Sequence, residues 1–167
     1  KWAQSSDGKI SAGDEKRVFI SNEFTNRLVH KWRREEAAIL VGTNTALLDD
    51  PALTARLWPG NNPVRLVMEM DLKLPSSLQL FDGTVKTIVF NQHKQEIGEM
   101  LSFYKIDKDQ KFIPQFLNAL YKLQLQSVIV EGGTKLLQSF IDENAWDEAR
   151  VITNEDLVRT LEANGWN

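Results

Sequence analysis

The chain has 167 residues, of which 42% are hydrophobic and 26% charged, a composition typical of one globular domain with a sizeable buried core. A net charge of −3 argues against a protein that binds nucleic acid over a broad surface. The absence of cysteine excludes disulfides, thiolate nucleophiles and cysteine-ligated metal sites, and two histidines are too few for a histidine-rich metal site.

Strand and helix patterns alternate along the chain. In chain order, the predicted elements are a strand at 2–6, a turn at 7–9, a polar loop at 11–18, a helix at 22–35, a strand at 38–42, a turn at 49–51, strands at 64–70 and 84–90, a helix at 114–125, a strand at 127–131, a helix at 134–142 and a strand at 149–153. This alternation predicts a single α/β domain with a central, mostly parallel sheet flanked by helices. The tail at 154–167 fits a helix or a disordered segment equally well.

Each predicted helix has an apolar face. Ser21 is a good N-cap for the first helix, and Thr134 can cap the third. The residues expected to face inward are Phe24, Leu28, Val29 and Trp32 in the first helix, Phe116, Leu117, Leu120 and Tyr121 in the second, and Leu136, Leu137, Phe140 and Ile141 in the third.

The most informative motif is the run at 128–134, where a buried strand leads through Gly132-Gly133 into a helix. Glycines let a ligand approach the backbone closely, and a helix N-terminus favours an anion such as phosphate. The motif is neither a Walker loop nor G-x-G-x-x-G, and a plain tight turn explains it equally well. Glu131 lies where ligands of open α/β sheets bind, although a surface carboxylate or ion-pair partner is the simpler interpretation.

A second polar segment, at 42–56, also follows a buried strand. Asp49 and Asp50 are adjacent, and two charged carboxylates are costly to bury together, so we expect one to point inward and the other outward. Either residue can instead serve the turn that an Asp-Pro pair favours. Arg33, near the end of the first helix, is either a favourable cation at a helix C-terminus or part of a phosphate clamp. His30, on the same helix, is expected to be a surface or packing residue.

In combination, these segments resemble the reductase domain of the bifunctional riboflavin-biosynthesis deaminase/reductase. The patterns that carry the resemblance are S-x-D-G-K at 5–9, D-D-P-x-L-T-x-R at 49–56 and V-E-G-G at 130–133. Each is weak alone, but their order and separation are specific, and the likeness extends to about residue 152. It implies a dihydrofolate-reductase-like three-layer α/β sandwich.

The resemblance also implies site residues. The positions that match cofactor-binding ones are Ala3, Phe19, Thr45, Asp49, Gly133, Thr134, Lys135 and Leu136. The positions that match substrate-binding ones are Arg33, Leu53, Arg56 and Glu131. Phe19 stands where the family usually has Trp, so a stacking surface remains while the indole N–H is lost.

The implied activity is NADPH-dependent reduction of the ribosyl group of 5-amino-6-(5-phosphoribosylamino)uracil to a ribityl group. NADPH would carry the hydride, and Asp49 or Glu131, the two candidate catalytic residues, would assist proton transfer. Two other functions stay open: a pterin or folate reductase on the same fold, and a nucleotide-binding domain without catalytic activity. A substrate panel separates the first, and NADPH binding without turnover identifies the second.

The expected partner is a small phosphorylated pyrimidine, and a homodimer is expected. We expect no metal ion, no nucleic-acid partner and no membrane partner, since no apolar run approaches the roughly 18 residues of a membrane span. A cytoplasmic location is expected. The zinc deaminase domain that can be fused to this reductase needs cysteine ligands, so we read residues 1–167 as the reductase domain alone.

Overall fold

The computed structural model describes residues 1–8 and 22–154. Its elements, in chain order, are β1 (Trp2–Ser5), α1 (Glu23–Glu35), β2 (Ala38–Gly42), α2 (Thr43–Asp49), β3 (Val64–Met68), a 3₁₀ turn (Gln79–Phe81), β4 (Thr87–Asn91), β5 (Leu101–Lys105), α3 (Phe112–Lys122), β6 (Val128–Val130), α4 (Thr134–Asp142) and β7 (Val151–Asn154). The predicted α/β class with a central sheet is confirmed.

The central sheet has five strands in the order β5-β4-β3-β2-β6, and all four pairings are parallel. A second parallel pair, β1 with β7, lies next to β6, because the backbone nitrogen of Lys1 donates to the Val130 carbonyl at 2.9 Å. Parallel strands present their carboxyl ends at one edge, which is where ligands bind in open α/β sheets. The carboxyl ends of β2 and β6 are neighbours at that edge.

The sheet is covered on both faces. On one face, Leu40, Leu66 and Phe90 pack against α3 and α4. On the other face, the neighbouring residues Ile39 and Val41 belong to a cluster with parts of α1, α2 and the 3₁₀ turn. All five residues of β2 are buried, as the continuous apolar run predicts.

The helices start differently from the prediction. Asn22 caps α1, not Ser21, and it forms a reciprocal capping box with Thr25. Gly133 occupies the cap position of α4, and Thr134 is its first helical residue. Both shifts are one residue, the usual uncertainty of a helix end.

Several side chains expected to face inward are exposed. These are Phe24 and Leu28 of α1, Leu117 and Tyr121 of α3, and Ile141 of α4. In α1, Val29 and His30 are the buried residues, and Trp32 packs against the cluster on that face of the sheet. The inward positions of Val29 and Trp32 are therefore confirmed, whereas those of Phe24 and Leu28 were wrong.

Two elements were absent from the prediction. The helix α2 has only seven residues, and its polar start, Thr43-Asn44-Thr45, is typical of a loop. The strand β5 lies at the edge of the sheet, and Ser102 is its one buried residue, so it lacks the continuous apolar run of a central strand.

Candidate active site

At the carboxyl ends of β2 and β6, glycine is required for two reasons. Gly132 has φ +112° and Gly133 has φ +64°, a region that L side chains rarely adopt. A Cβ placed on Gly132 would also lie 2.7 Å from the Thr45 side chain. The first turn of α2 and the start of α4 are therefore in direct contact, and we call Thr45, Gly132 and Gly133 the glycine side of the site.

The α4 N-terminus opens onto this glycine side. Within the described ranges, no side chain caps the helix at Gly133, and Thr134 and Lys135 are exposed. Leu136 points the other way, into the core that includes Leu40 and Phe140. Backbone N–H groups and the helix dipole are thus what this turn offers to an anion, and Leu136 has only its backbone to contribute.

A buried ion pair stands next to the glycines. Arg33 of α1 donates from Nε and Nη2 to the two carboxylate oxygens of Glu131, each at 2.9 Å. The side chains are only 13% and 9% exposed, respectively, and Lys1 Nζ lies 3.5 Å from the same carboxylate. The forked guanidinium matches a carboxylate in this two-bond geometry.

This pairing determines the charge of Glu131. Burial alone would raise its pKa, but the hydrogen bonds and charge of Arg33, together with Lys1, outweigh burial and lower the pKa to about 2. Glu131 is therefore ionised at neutral pH and has no proton to donate.

The Thr54 backbone joins the pair to the segment at 49–56. Arg33 Nη1 donates to the Thr54 carbonyl at 3.1 Å, and Arg56 Nη1 donates to Thr54 Oγ1 at 3.2 Å. Arg56 is otherwise exposed. We call Arg33, Glu131, Thr54 and Arg56 the charged side of the site.

His30 lies one turn before Arg33 on the same face of α1 and is 5% exposed. Burial, followed by the charges of Arg33 and Arg56, lowers its pKa from 6.5 to about 4. It is therefore neutral at physiological pH. Within the described residues, its Nδ1 is buried without a hydrogen-bond partner.

Asp49 and Asp50 end α2 differently. Asp49 is the last helical residue and is half-buried. Asp50 follows in the left-handed region with φ +38°, and its carboxylate accepts from the Gln79 backbone N–H at 2.7 Å. Asp50 thus terminates the helix and anchors a turn.

Residues 1–154 match the family of the RibD C-terminal domain. The chain belongs to this family. The chain spans less than half the length of the RibD relatives that it matches. The chain is 32% identical over 161 residues to the riboflavin biosynthesis protein RibD of Aquifex aeolicus, covering 91% of this chain and 44% of that protein.

A shorter relative is covered more fully. The 2,5-diamino-6-ribosylamino-4(3H)-pyrimidinone 5′-phosphate reductase of Archaeoglobus fulgidus is 30% identical over 165 residues, covering 89% of this chain and 75% of that protein. Among solved structures, the deaminase/5-amino-6-(5-phosphoribosylamino)uracil reductase of Thermotoga maritima superposes with a TM-score of 0.74 at 30% identity, covering 85% of this chain and 40% of that one. The predicted dihydrofolate-reductase-like fold of the RibD C-terminal domain is thereby confirmed.

The structure brings together most of the site residues that the sequence suggested. Thr45 and Gly133 lie on the glycine side, while Arg33, Arg56 and Glu131 lie on the charged side. Leu53 is buried beside Thr54. Their roles as ligand contacts stay predictions.

Two further predicted cofactor positions are Ala3 and Phe19. Ala3 lies on β1, where it pairs with Ile152 of β7, and Phe19 lies outside the described residues. Within those residues, no group of three or more His, Asp or Glu side chains could hold a metal ion, and no helix has the length and apolar character to cross a membrane.

Sequence reasoning missed His30 and Thr54 as parts of the charged side. His30 could have been found, because a residue three positions before Arg33 shares its helix face. Thr54 contributes its carbonyl, and nothing in a side chain's identity signals that role.

Proposed function

We propose that this domain catalyses the NADPH-dependent reduction of the ribosyl group of 5-amino-6-(5-phosphoribosylamino)uracil to a ribityl group, a step of riboflavin biosynthesis. The observation that carries the proposal is the contiguity of the glycine side with the Arg33–Glu131 pair. Gly132 and Gly133 directly follow Glu131, so a cofactor and a charged substrate held by these two groups would meet. The relatives named as RibD and as pyrimidinone phosphate reductase support the same reaction.

The glycine side suits the phosphates of NADPH. A side chain at Gly132 would occupy the space against Thr45, and the start of α4 is free of a side-chain cap within the described ranges. Backbone N–H groups at a helix N-terminus favour phosphate. When bound, NADPH supplies the hydride, and the protein orients it against the substrate.

The charged side suits a phosphorylated sugar. Arg33 already has its Nε, Nη1 and Nη2 donating to Glu131 and Thr54, whereas Arg56 is exposed. We therefore assign the substrate phosphate to Arg56, since guanidinium and phosphate form strong charge-assisted hydrogen bonds. Glu131, held ionised by Arg33, accepts hydrogen bonds from substrate hydroxyl or amino groups.

Asp49 is then the group that moves a proton. The ribosylamine opens to an imine or aldehyde carbon, which accepts the hydride, and a proton must reach the neighbouring nitrogen or oxygen. Both carboxylate oxygens of Glu131 already accept from Arg33, so we assign the proton transfer to Asp49, the other carboxylate that the resemblance implies.

A substrate panel tests the proposal. The purified protein is mixed with NADPH and one of three substrates: the aminouracil phosphate, its 2,5-diaminopyrimidinone counterpart, or dihydrofolate. Loss of nicotinamide absorbance with a ribosylaminopyrimidine phosphate alone is the expected result. The diaminopyrimidinone is included because the Archaeoglobus relative carries its name.

Two results would replace the proposal. Turnover of dihydrofolate would make the domain a folate-type reductase. NADPH binding measured by titration, with no turnover of any of the three compounds, would make it a nucleotide-binding domain without catalytic activity.

The domain and assembly assignments belong to the same proposal. We assign the chain to one reductase domain and expect it to form a homodimer, with any deaminase domain of a longer protein outside residues 1–167. Light scattering of the purified domain checks the dimer, and a monomeric mass at working concentration contradicts it.

A further inference from the structure

Arg65, the second residue of β3, is the largest fully buried side chain among the described residues, with 0% exposure. A buried guanidinium is costly unless its donors are satisfied, and here they are. Nε donates to the Ala52 carbonyl at 2.9 Å. Nη1 donates to the Gln79 carbonyl at 3.1 Å and to Asp82 Oδ1 at 2.8 Å.

These partners lie on two separate segments. Ala52 belongs to the segment at 49–56 that enters the charged side, whereas Gln79 and Asp82 lie in and just after the 3₁₀ turn. Arg65 therefore fixes the two segments to each other and to the central sheet. Gln79 adds a second link, since its Nε2 donates to the Asp50 carbonyl at 2.6 Å.

The segment that Arg65 holds has a strained backbone. Asp50 and Leu53 have φ of +38° and +49°, which non-glycine residues seldom adopt. Such conformations persist only where the surrounding structure over-determines them, and they cluster at functional sites. The contacts from Arg65 to Ala52 and from Gln79 to Asp50 act directly beside the two strained residues.

The contact between Arg65 and Ala52 affects the charged side, because Thr54 lies only two residues after Ala52. Ala52 precedes Leu53, and Thr54 follows with the carbonyl that accepts from Arg33 and the hydroxyl that accepts from Arg56. A shift of the Ala52 carbonyl would displace Leu53 and Thr54 relative to Arg33 and Arg56.

We propose that Arg65 is a positioning residue for the substrate: it sets the geometry of the segment at 52–56 through the Ala52 carbonyl, without touching substrate itself. This inference rests on the proposed function, because its enzymatic readout is the Michaelis constant of the pyrimidine phosphate. It differs from a general structural role, since it assigns the effect to the substrate and not to NADPH.

The test compares Arg65→Lys with Asp82→Asn. Lysine keeps a positive charge that can pair with Asp82. It has no second donor that could reach the Ala52 carbonyl at the same time. Asparagine weakens the same ion pair but leaves the Ala52 contact in place. Both variants should melt at a lower temperature than the wild type, so they are matched for loss of stability.

The expected difference is in kinetics. Arg65→Lys should raise the KM for the pyrimidine phosphate or lower kcat/KM by about 10- to 100-fold, the range for misplaced positioning groups, while the NADPH dissociation constant stays within twofold. Asp82→Asn should leave both constants near wild type at a temperature where it is folded. Equal kinetic losses in the two variants, or none in Arg65→Lys, would overturn the proposal.

Hydrogen exchange gives a readout that needs no turnover. In the protein without ligands, Arg65→Lys should raise amide exchange at 51–56 above that of Asp82→Asn, and unchanged exchange there would also refute the proposal. If Arg65→Lys does not fold, Arg65→Gln replaces it in both measurements: exchange at 51–56 and the KM should rise in the same way, and unaltered values would refute the proposal. A wild type that turns over no pyrimidine phosphate would instead reject the proposed function, and exchange would still decide the role of Arg65.

Discussion

The glycine side and the charged side of the site are neighbours in sequence and space, yet one consists of backbone and the other of charged side chains. At Gly132 and Gly133 the chain contributes backbone conformation and empty space, whereas at Arg33 and Glu131 it contributes two buried charges. Backbone can bind phosphate with little electrostatic cost, because no side chain has to be desolvated. Burying Arg33 and Glu131 carries a desolvation cost that only complete pairing offsets. Removing one of these charges therefore destabilises the other, whereas the glycines carry no such dependence.

The largest effect is expected from Glu131→Gln. It leaves Arg33 as a buried charge without its carboxylate, and breaking a buried pair in this way costs about 3–5 kcal/mol. Urea denaturation should show this loss of unfolding free energy, and turnover should disappear. A loss below about 1 kcal/mol would mean that the pair is hydrated in solution, and the contrast between the two sides would fail.

Asp49→Asn should lower the rate while the protein stays folded. The change removes the proton-carrying group and keeps the size, and general acid–base catalysis contributes roughly 100- to 10,000-fold. We expect kcat to fall within that range, with a native-like circular dichroism spectrum. Full activity would assign Asp49 to the structure of α2.

Gly133→Val tests the glycine side. A β-branched residue is strained at φ +64°, at a cost of about 1–3 kcal/mol, and its methyl groups would lie where a phosphate approaches the helix. NADPH titration should show a loss of roughly 100-fold or more, while circular dichroism stays native-like. An early-melting variant that still binds NADPH normally would show that Gly133 serves only the turn.

Arg56→Ala is the complementary change on the charged side. Arg56 is exposed, so stability should stay within about 0.5 kcal/mol of wild type. Loss of a charge-assisted contact costs about 1.5–3 kcal/mol, which corresponds to a roughly tenfold or greater rise in the substrate KM. If NADPH binding weakened equally, Arg56 would belong to the cofactor.

The smallest effect concerns pH. Because the pKa of His30 is about 4 in the folded protein and 6.5 otherwise, the unfolded chain takes up a proton that the folded chain does not. Stability should therefore fall as the pH drops from 6.5 towards 4, by at most about 1.4 kcal/mol per pH unit from this residue. His30→Gln should flatten that part of the profile, measured by urea denaturation at several pH values.

A second loss of stability, at lower pH, is expected from Glu131. Glu131 has its pKa lowered to about 2 from 4.5, so its stabilising contribution is complete above 4.5 and is lost as the pH falls towards 2. His30→Gln should leave this loss of stability between pH 4.5 and 2 unchanged. If His30→Gln instead removed both losses of stability, His30 and Glu131 would titrate as one unit.

How far the sequence could predict the molecule depends on the range of each interaction. The buried strand β2 and the turn Gly132-Gly133 were predictable, because a continuous apolar run and paired glycines are local signals. The buried face of α1 was predictable only in part, since Val29 is buried as expected but His30 is buried beside it while Phe24 and Leu28 are exposed. The partner of Arg33 was not predictable from the helix itself, because Glu131 lies 98 residues away. Arg65 illustrates the same limit: a charged residue within an apolar strand gives no indication of which carbonyls satisfy it.

The family resemblance predicted that the side chains of the charged side lie in one site, whereas hydrophobic periodicity alone did not. It named Arg33, Leu53, Arg56 and Glu131 as one group, and the structure connects them through Thr54. It did not indicate which arginine pairs with the carboxylate: Arg33 forms the buried ion pair with Glu131, whereas Arg56 is exposed. That difference follows from burial and distance, which only coordinates provide.

The parallel pairing of the strands has a consequence for the timing of folding. Parallel neighbours are joined by long crossovers, and contacts between distant parts of the sequence form slowly. Among the described strands, the first pairs with the last, Trp2 beside Val151, and Arg33 pairs with Glu131, 98 residues later. During synthesis, α1 and β2 therefore emerge well before Glu131 does. The pair of Arg33 and Glu131, and with it the charged side of the site, forms only after β6 has been made.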